Sequence, residues 1–203
     1  MEATPSTNKQ PSKTHLAVFA SGTGSNAQKI IEYFRNSSIA TVALIVCNKP
    51  GAGVLTIAEK EKIPTLLIEK ERFFRGDAFL PLLKEAAVDF IVLAGFLWKI
   101  PQALIDAYPK RIVNIHPALL PKYGGKGMYG QYVHEAVLQA GEMESGITIH
   151  YVDEHYDNGD IIFQTACPVL DNDTPETIAH RIHQLEHLHY PRVIEELLES
   201  LTS

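Results

Sequence analysis

The chain has 203 residues, 45% of them hydrophobic and 21% charged, enough for one domain with a sizeable core. A formal net charge of −6 argues against a general nucleic-acid or membrane surface, while leaving room for a small basic pocket that holds a phosphate. No stretch is apolar enough to span a bilayer and the polar N-terminus has no signal-peptide core. A cytoplasmic protein is therefore expected, with Cys47 and Cys167 as buried free thiols.

Residues 1–14 are polar, contain Pro5 and Pro11, and read as a tail ahead of one domain over residues 15–203. Leu16 to Ala20 reads as a first buried strand. A Gly-rich turn follows, then a helical pattern from Asn26 to Arg35. Thr41 to Cys47 is a second strand, Val54 to Lys62 a helix and Thr65 to Ile68 a short strand. Asp77 to Ala87 is helical, Phe90 to Ala94 a fourth strand, Pro101 to Tyr108 a helix opening on proline, and Arg111 to Ile115 a fifth strand. Apolar strands alternating with helices predict an α/β fold, a mostly parallel twisted sheet with helices on both faces. Beyond His116 the pattern changes. Lys122 to Tyr132 reads as a Gly- and Tyr-rich loop and His134 to Ala140 as a helix. Ile147 to Val152 and Ile161 to Pro168 read as strands around the polar loop Asp153 to Asp160. A long C-terminal helix runs from Pro175 to Leu201, with Thr174 as candidate N-cap and Pro191 expected to kink or break it near Tyr190.

The most telling run is Asn114-Ile115-His116-Pro117-Ala118-Leu119-Leu120-Pro121. Residues at i and i+2 share a strand face, so Asn114 and His116 can reach one substrate atom together. An amide donor beside a titratable one suits an oxyanion. The plainer reading is a strand end where Asn114 starts a turn and His116 caps it. Ser21-Gly22-Thr23-Gly24-Ser25-Asn26 stands between the first strand and the first helix, and with Ala27 it fits G-x-G-x-x-A. A helix N-terminus with Ser25 and Asn26 as added donors suits a phosphate. The second strand ends in Cys47-Asn48-Lys49, without the acid that holds a dinucleotide ribose. The alternative is a glycine turn capped by Ser25 or Asn26.

The carboxylates Asp153, Glu154, Asp157 and Asp160 either form a solvated acidic hairpin or bring one group beside His116, where it would raise the imidazole pKa. His183-Gln184-Leu185-Glu186-His187 matches an inverted zinc-peptidase spacing. A third ligand would have to be Glu195, Glu196 or Glu199, folded back at a sharp break at Pro191, so no metal is expected.

Four blocks together carry a family resemblance: Ser21 to Asn26, Leu93-Ala94-Gly95-Phe96, Asn114 to Tyr123, and Asp157-Asn158-Gly159. From Leu16 to Leu198 the sequence resembles the phosphoribosylglycinamide formyltransferases, the folate-dependent enzymes of purine synthesis. The resemblance implies a Rossmann-like formyltransferase fold. It also implies transfer of a formyl group from the co-substrate 10-formyltetrahydrofolate to the amine of glycinamide ribonucleotide. By that resemblance Asn114 and His116 stabilise the oxyanion, His116 also moves a proton, and Asp157 pairs with the histidine. Gly22, Thr23, Gly24, Ser25 and Asn26 match the substrate phosphate loop, and His183, Gln184, Leu185 and Glu186 match other substrate contacts. Phe96, Leu97, Trp98, Lys99 and Ile100, with Asn114, Asp153, Glu154, His155, Tyr156 and Asp157, match the folate site. Arg72, in preference to Arg75, matches an arginine at the folate tail. Asn158 stands where the family commonly has glycine, and Asn tolerates left-handed backbone better than most residues.

Related alternatives are a methionyl-tRNA formyltransferase, which carries a further RNA-binding domain, and a formyltetrahydrofolate hydrolase, which carries an N-terminal regulatory domain. Neither extra domain is expected here. A non-catalytic nucleotide-binding module would use the glycine loop but leave Asn114, His116 and Asp157 without a shared task. Small-molecule substrates are the expected partners, without nucleic acid or membrane, and monomer and homodimer both stay open.

Overall fold

The computed structural model describes residues 13–75 and 78–202. The apolar runs form strands β1 (Thr14–Ala20), β2 (Ala40–Cys47), β3 (Thr65–Leu67), β4 (Phe90–Leu93) and β5 (Ile112–His116), all parallel. Strands β6 (Glu144–Tyr151) and β7 (Ile161–Pro168) add antiparallel beyond β5, giving the order β3-β2-β1-β4-β5-β6-β7. Helices connect them: α1 (Ser25–Phe34), α2 (Gly53–Glu61), α3 (Lys70–Phe74), α4 (Leu80–Glu85), α5 (Gln102–Ala107), α6 (Gln131–Gln139) and α7 (Pro175–Thr202). None of the described helices is long and apolar enough to cross a membrane.

Alternate residues of the central strands feed two cores. Leu16, Val18 and Ala20 pack with Phe90 and Val92 and with Ile30, Ile182 and Ile194 from the helices. Ala17 and Phe19 pack with Val46, Ile91 and Leu93 and with Phe73, Leu83 and Leu104 on the other face. Both faces of β1 and β4 are dry, which is why those strands are apolar throughout instead of alternating. Cys47 and Cys167 are both buried free thiols. The chain runs outward from β1 to β3 and returns to β4 on the far side of β1. Strand order thus reverses between β1 and β4, and the crevice at their carboxyl ends is where an open α/β sheet takes ligands.

Several boundaries differ from the sequence reading. The expected tail falls outside the described residues up to residue 12, and Thr14 already pairs with Ala40 in β1. Helix α3 was not foreseen. The helix expected from Asp77 to Ala87 is confined to α4 among the described residues, Asp77 lying outside them. Helix α6 starts at Gln131, inside the expected loop. Thr174 caps α7 as expected: its Oγ1 accepts the Thr177 N–H at 3.3 Å, and Thr177 Oγ1 accepts the Thr174 N–H at 2.8 Å in return.

The expected break at Pro191 does not occur, because α7 runs through it. Packing on both sides of the proline holds the helix. Tyr190, Val193, Ile194 and Leu198 are buried against the sheet. The Tyr190 hydroxyl shares its proton between the Leu93 carbonyl oxygen at 2.9 Å and the Val113 carbonyl oxygen at 3.2 Å. Tertiary burial outweighs the one helical hydrogen bond a proline forfeits. Tyr190→Phe keeps the ring and deletes this anchor. Urea unfolding is expected to show a loss of about 1–3 kcal/mol with an unchanged m-value.

Candidate active site

The crevice is a cleft of about 560 Å³, walled by the loops after β1, β4 and β5, by the 125–130 loop, and by α6 and α7. Strand β5 supplies the chemistry. Val113 and Ile115 point into one core, so Asn114 and His116 take the other parity. Antiparallel pairing sets His150 opposite Asn114 and Thr148 opposite His116. Pro117 onward is clamped by Thr148: its hydroxyl donates to the Ala118 carbonyl oxygen at 2.6 Å and accepts the Leu120 N–H at 3.0 Å. Gln164 Nε2 reaches both Thr148 Oγ1 and the Leu120 carbonyl oxygen at 2.8 Å.

His116 is 3% exposed. Its Nε2 lies 2.8 Å from the Tyr123 carbonyl oxygen, an acceptor only, so that nitrogen carries a proton. The titrating nitrogen is therefore Nδ1, which faces Asp157 Oδ2 at 3.6 Å. Burial lowers the imidazole pKa, and the Asp157 charge and the Tyr123 carbonyl recover only part of that shift. The carboxylate does push upward, as expected from the sequence, but the net direction is downward because a desolvated ring disfavours its charged form.

Asp157 sits at φ +53, a left-handed conformation that aspartate tolerates. The left-handed residue is thus the acid itself and not Asn158, whose amide instead donates to Asp153 at 3.1 Å. Gly159 beside it is required, since a Cβ there would collide with the Tyr151 carbonyl oxygen. Burial raises the Asp157 pKa, but His150, His116 and the Gly125 N–H at 2.9 Å outweigh it and hold the carboxyl below its usual value. Asn114 Nδ2 donates to Asp157 Oδ1 at 3.4 Å and lies 3.2 Å from His150 Nε2. His150 Nδ1 donates to the Tyr151 carbonyl oxygen at 2.8 Å.

Across the cleft, Gly24 stands at the N-cap of α1 with φ 85 and no side-chain cap. A Cβ there would lie 2.9 Å from Val54, so the position needs glycine for both backbone and space. The first helical bond is Gln28 N–H to the Gly24 carbonyl oxygen, leaving the earlier N–H groups of the first turn for another acceptor. Asn26 does not cap the helix; its Nδ2 donates to Glu186 Oε2 at 2.9 Å. Glu186 is 5% exposed and burial pushes its carboxyl up to about 7.

Of the residues singled out in the sequence, the cleft gathers Gly22 to Asn26, Phe96, Leu97, Asn114, His116, Tyr156, Asp157, His183 and Glu186. Others lie elsewhere. Ile100 is a core residue, and Trp98 stacks on Phe73, Phe74 and Phe96. The Arg72 guanidinium covers the Phe79 ring at 5.3 Å. Lys99, Asp153, Glu154, His155, Gln184 and Leu185 are not among the lining residues. Since α7 continues through Pro191, Glu195, Glu196 and Glu199 are carried along the helix away from His183 and His187. The sequence reading missed His150, hidden in an apolar strand, and His134, hidden in an amphipathic helix. It also missed the wall from Gly125 to Gly130. The signal for His150 was a polar residue two places from Thr148, on the same side of a strand that otherwise reads as apolar.

A family model described as Formyl transferase matches residues 14–194. The chain belongs to that formyl transferase family. It is 45% identical over 196 residues to the phosphoribosylglycinamide formyltransferase, chloroplastic, of Arabidopsis thaliana, an alignment spanning 94% of this chain and 67% of that protein. To the phosphoribosylglycinamide formyltransferase of Bacillus subtilis (strain 168) it is 43% identical, spanning 90% of this chain and 94% of that one. The solved structure of glycinamide ribonucleotide transformylase 1 from Geobacillus kaustophilus superposes with a TM-score of 0.83 at 40% identity, covering 92% of this chain and 99% of that chain.

The Glu186 environment generates a stability prediction. Its carboxyl titrates near 4.5 when exposed and about 7 when folded, so between those values the native state holds more protons than the unfolded state. Stability contributed by the neutral form is therefore lost as pH rises through that window. Glu186→Gln removes the loss while keeping an acceptor for Asn26. The variant is expected to melt with the parent near about pH 4 and above it near about pH 8. Each kcal/mol is worth about 2–4 °C at this chain length, readable by thermal denaturation.

Proposed function

We propose that this protein transfers the formyl group of 10-formyltetrahydrofolate to the amine of glycinamide ribonucleotide, a step of purine synthesis. One observation carries the reading. Asn114, His116 and Asp157 converge at the end of β5 in a cleft whose opposite wall is the glycine loop at the start of α1. The glycine loop, with Ser25, Asn26 and uncapped backbone donors, holds the ribonucleotide phosphate. Glu186 and His183 border that same half. Phe96, Leu97 and Tyr156 flank the folate half.

In the reaction the amine attacks the formyl carbon, the new C–N bond forms, and negative charge gathers on the formyl oxygen. That oxygen accepts the Asn114 Nδ2–H now turned to Asp157, together with Nδ1–H of imidazolium His116. Collapse breaks the bond to the folate nitrogen. The amine loses a proton to the Asp157 carboxylate, the Nδ1 proton of His116 goes to the departing nitrogen, and the proton on Asp157 then passes to Nδ1, which restores the charged pair.

The direct test is formyl transfer monitored spectrophotometrically with the folate, in the presence and absence of the ribonucleotide. Turnover only with both supports the reading, folate release without the amine points to a hydrolase, and no turnover at all removes it. Asn114→Ala is expected to lose roughly 10²–10³ in kcat with both ligands still bound by calorimetry. Replacing Ser25 and Asn26 by Ala should raise the ribonucleotide KM far more than the folate KM.

Asp157→Asn removes a charge that raises the His116 pKa, so the imidazolium is lost at lower pH and the basic limb of kcat/KM shifts downward. The double variant with His116→Ala should be little worse than the worse single one, because the pair acts as one unit. Strictly additive losses would separate the two residues.

A further inference from the structure

The ribonucleotide half of the cleft has an unbalanced charge. A phosphate dianion bound at the glycine loop shares the cleft with the carboxyl groups of Asp157 and Glu186. Among the described residues lining it there is one lysine or arginine, Lys126. The histidines on that wall do not replace it. Burial holds His134 down at about 4 and lowers His183 as well, so both are neutral near pH 7.

The backbone around Lys126 is built as a turn. Met128 N–H donates to the Gly125 carbonyl oxygen at 3.1 Å, which places Lys126 and Gly127 at the two corners. Gly127 has φ 92, the left-handed corner that favours glycine, and Gly125 has φ 94. A Cβ at either glycine would meet nothing within 4 Å, so neither is required by packing. They serve the shape of the turn. One end is tied to the reaction centre, because the Gly125 N–H donates to Asp157 Oδ2 at 2.9 Å. The other end runs into α6, which packs on α7, the helix that carries His183 and Glu186. The turn therefore joins the catalytic acid to the helix pair that carries His183 and Glu186. Lys126 is exposed at its tip, with no ion pair to a described carboxylate.

We propose that Lys126 is the cation that pairs with the phosphate of the ribonucleotide, completing from the 125–128 turn a site that the α1 glycine loop begins. This rests on the substrate assignment above. A lysine ammonium suits the task as a mobile point charge on a long stem, and its charge-assisted bond strengthens a phosphate otherwise held by neutral donors.

The test compares the parent enzyme with Lys126→Ala and Lys126→Arg. The alanine variant is expected to raise the ribonucleotide KM about tenfold, with kcat and the folate KM held within about twofold. Arginine should restore most of the loss. With the phosphate-free glycinamide riboside, parent and Lys126→Ala should be indistinguishable. Binding of ribose 5-phosphate, followed by calorimetry, should weaken by a similar factor and lose part of its salt dependence. An unchanged ribonucleotide KM, an equal loss with the riboside, or a rise confined to the folate KM overturns the proposal. The calorimetric arm stands apart from turnover. A parent that binds the sugar phosphate through Lys126 but transfers no formyl group would overturn the substrate assignment and leave the phosphate contact standing.

Discussion

Side-chain alternation along β5, locked by antiparallel pairing with β6, is the constraint on which the site depends. Val113 and Ile115 must enter one core, and that requirement alone turns Asn114 and His116 to the opposite face. The same register brings His150 and Thr148 opposite them. A slip of one residue would bury the amide and the imidazole among Ile30, Ile178 and Ile182 and expose two aliphatic side chains. Hydrophobic burial thus sets the direction of the polar pair, and the Thr148 and Gln164 hydrogen bonds hold the exit of the strand where burial has no further say.

Charge within the cleft is controlled by exclusion of water more than by pairing. His116 has a carboxylate 3.6 Å away and still titrates below its usual value. Asp157 is also held below its usual value, against its burial, because it accepts a backbone N–H and faces two imidazoles, so the acid is kept charged where burial favours the neutral imidazole. Glu186, with one amide donor for company, is pushed up to about 7. The cleft therefore holds two carboxyl groups in different protonation regimes within one fold, a division set by the number of donors each one meets.

Much of the fold was legible in the sequence. Continuous apolar strands meant dry faces on both sides, and the structure has two cores for that reason. The errors have physical causes. Pro191 looked like a helix breaker because local rules count one lost hydrogen bond, whereas Tyr190 and Val193 are buried on either side of it. Trp98 and Ile100 lie next to Leu97 in sequence but leave the cleft, because the chain after β4 turns at once into the aromatic cluster of Phe73 and Phe96.

The sequence by itself determined the sheet, the glycine loop at the start of α1 and the shared face of Asn114 and His116, since each follows from short-range periodicity or from backbone freedom at one position. Family resemblance chose Asp157 from the four loop carboxylates and moved Glu186 from a metal-site spacing to a substrate contact. Only the tertiary structure decided that Asp157 leaves solvent for His116, that Asn26 spends its amide on Glu186 instead of capping α1, and that His150 completes the polar cluster. Those pairings join residues 36 to 160 positions apart, and side chains that distant meet only when the strand register and the α1–α7 packing are already in place.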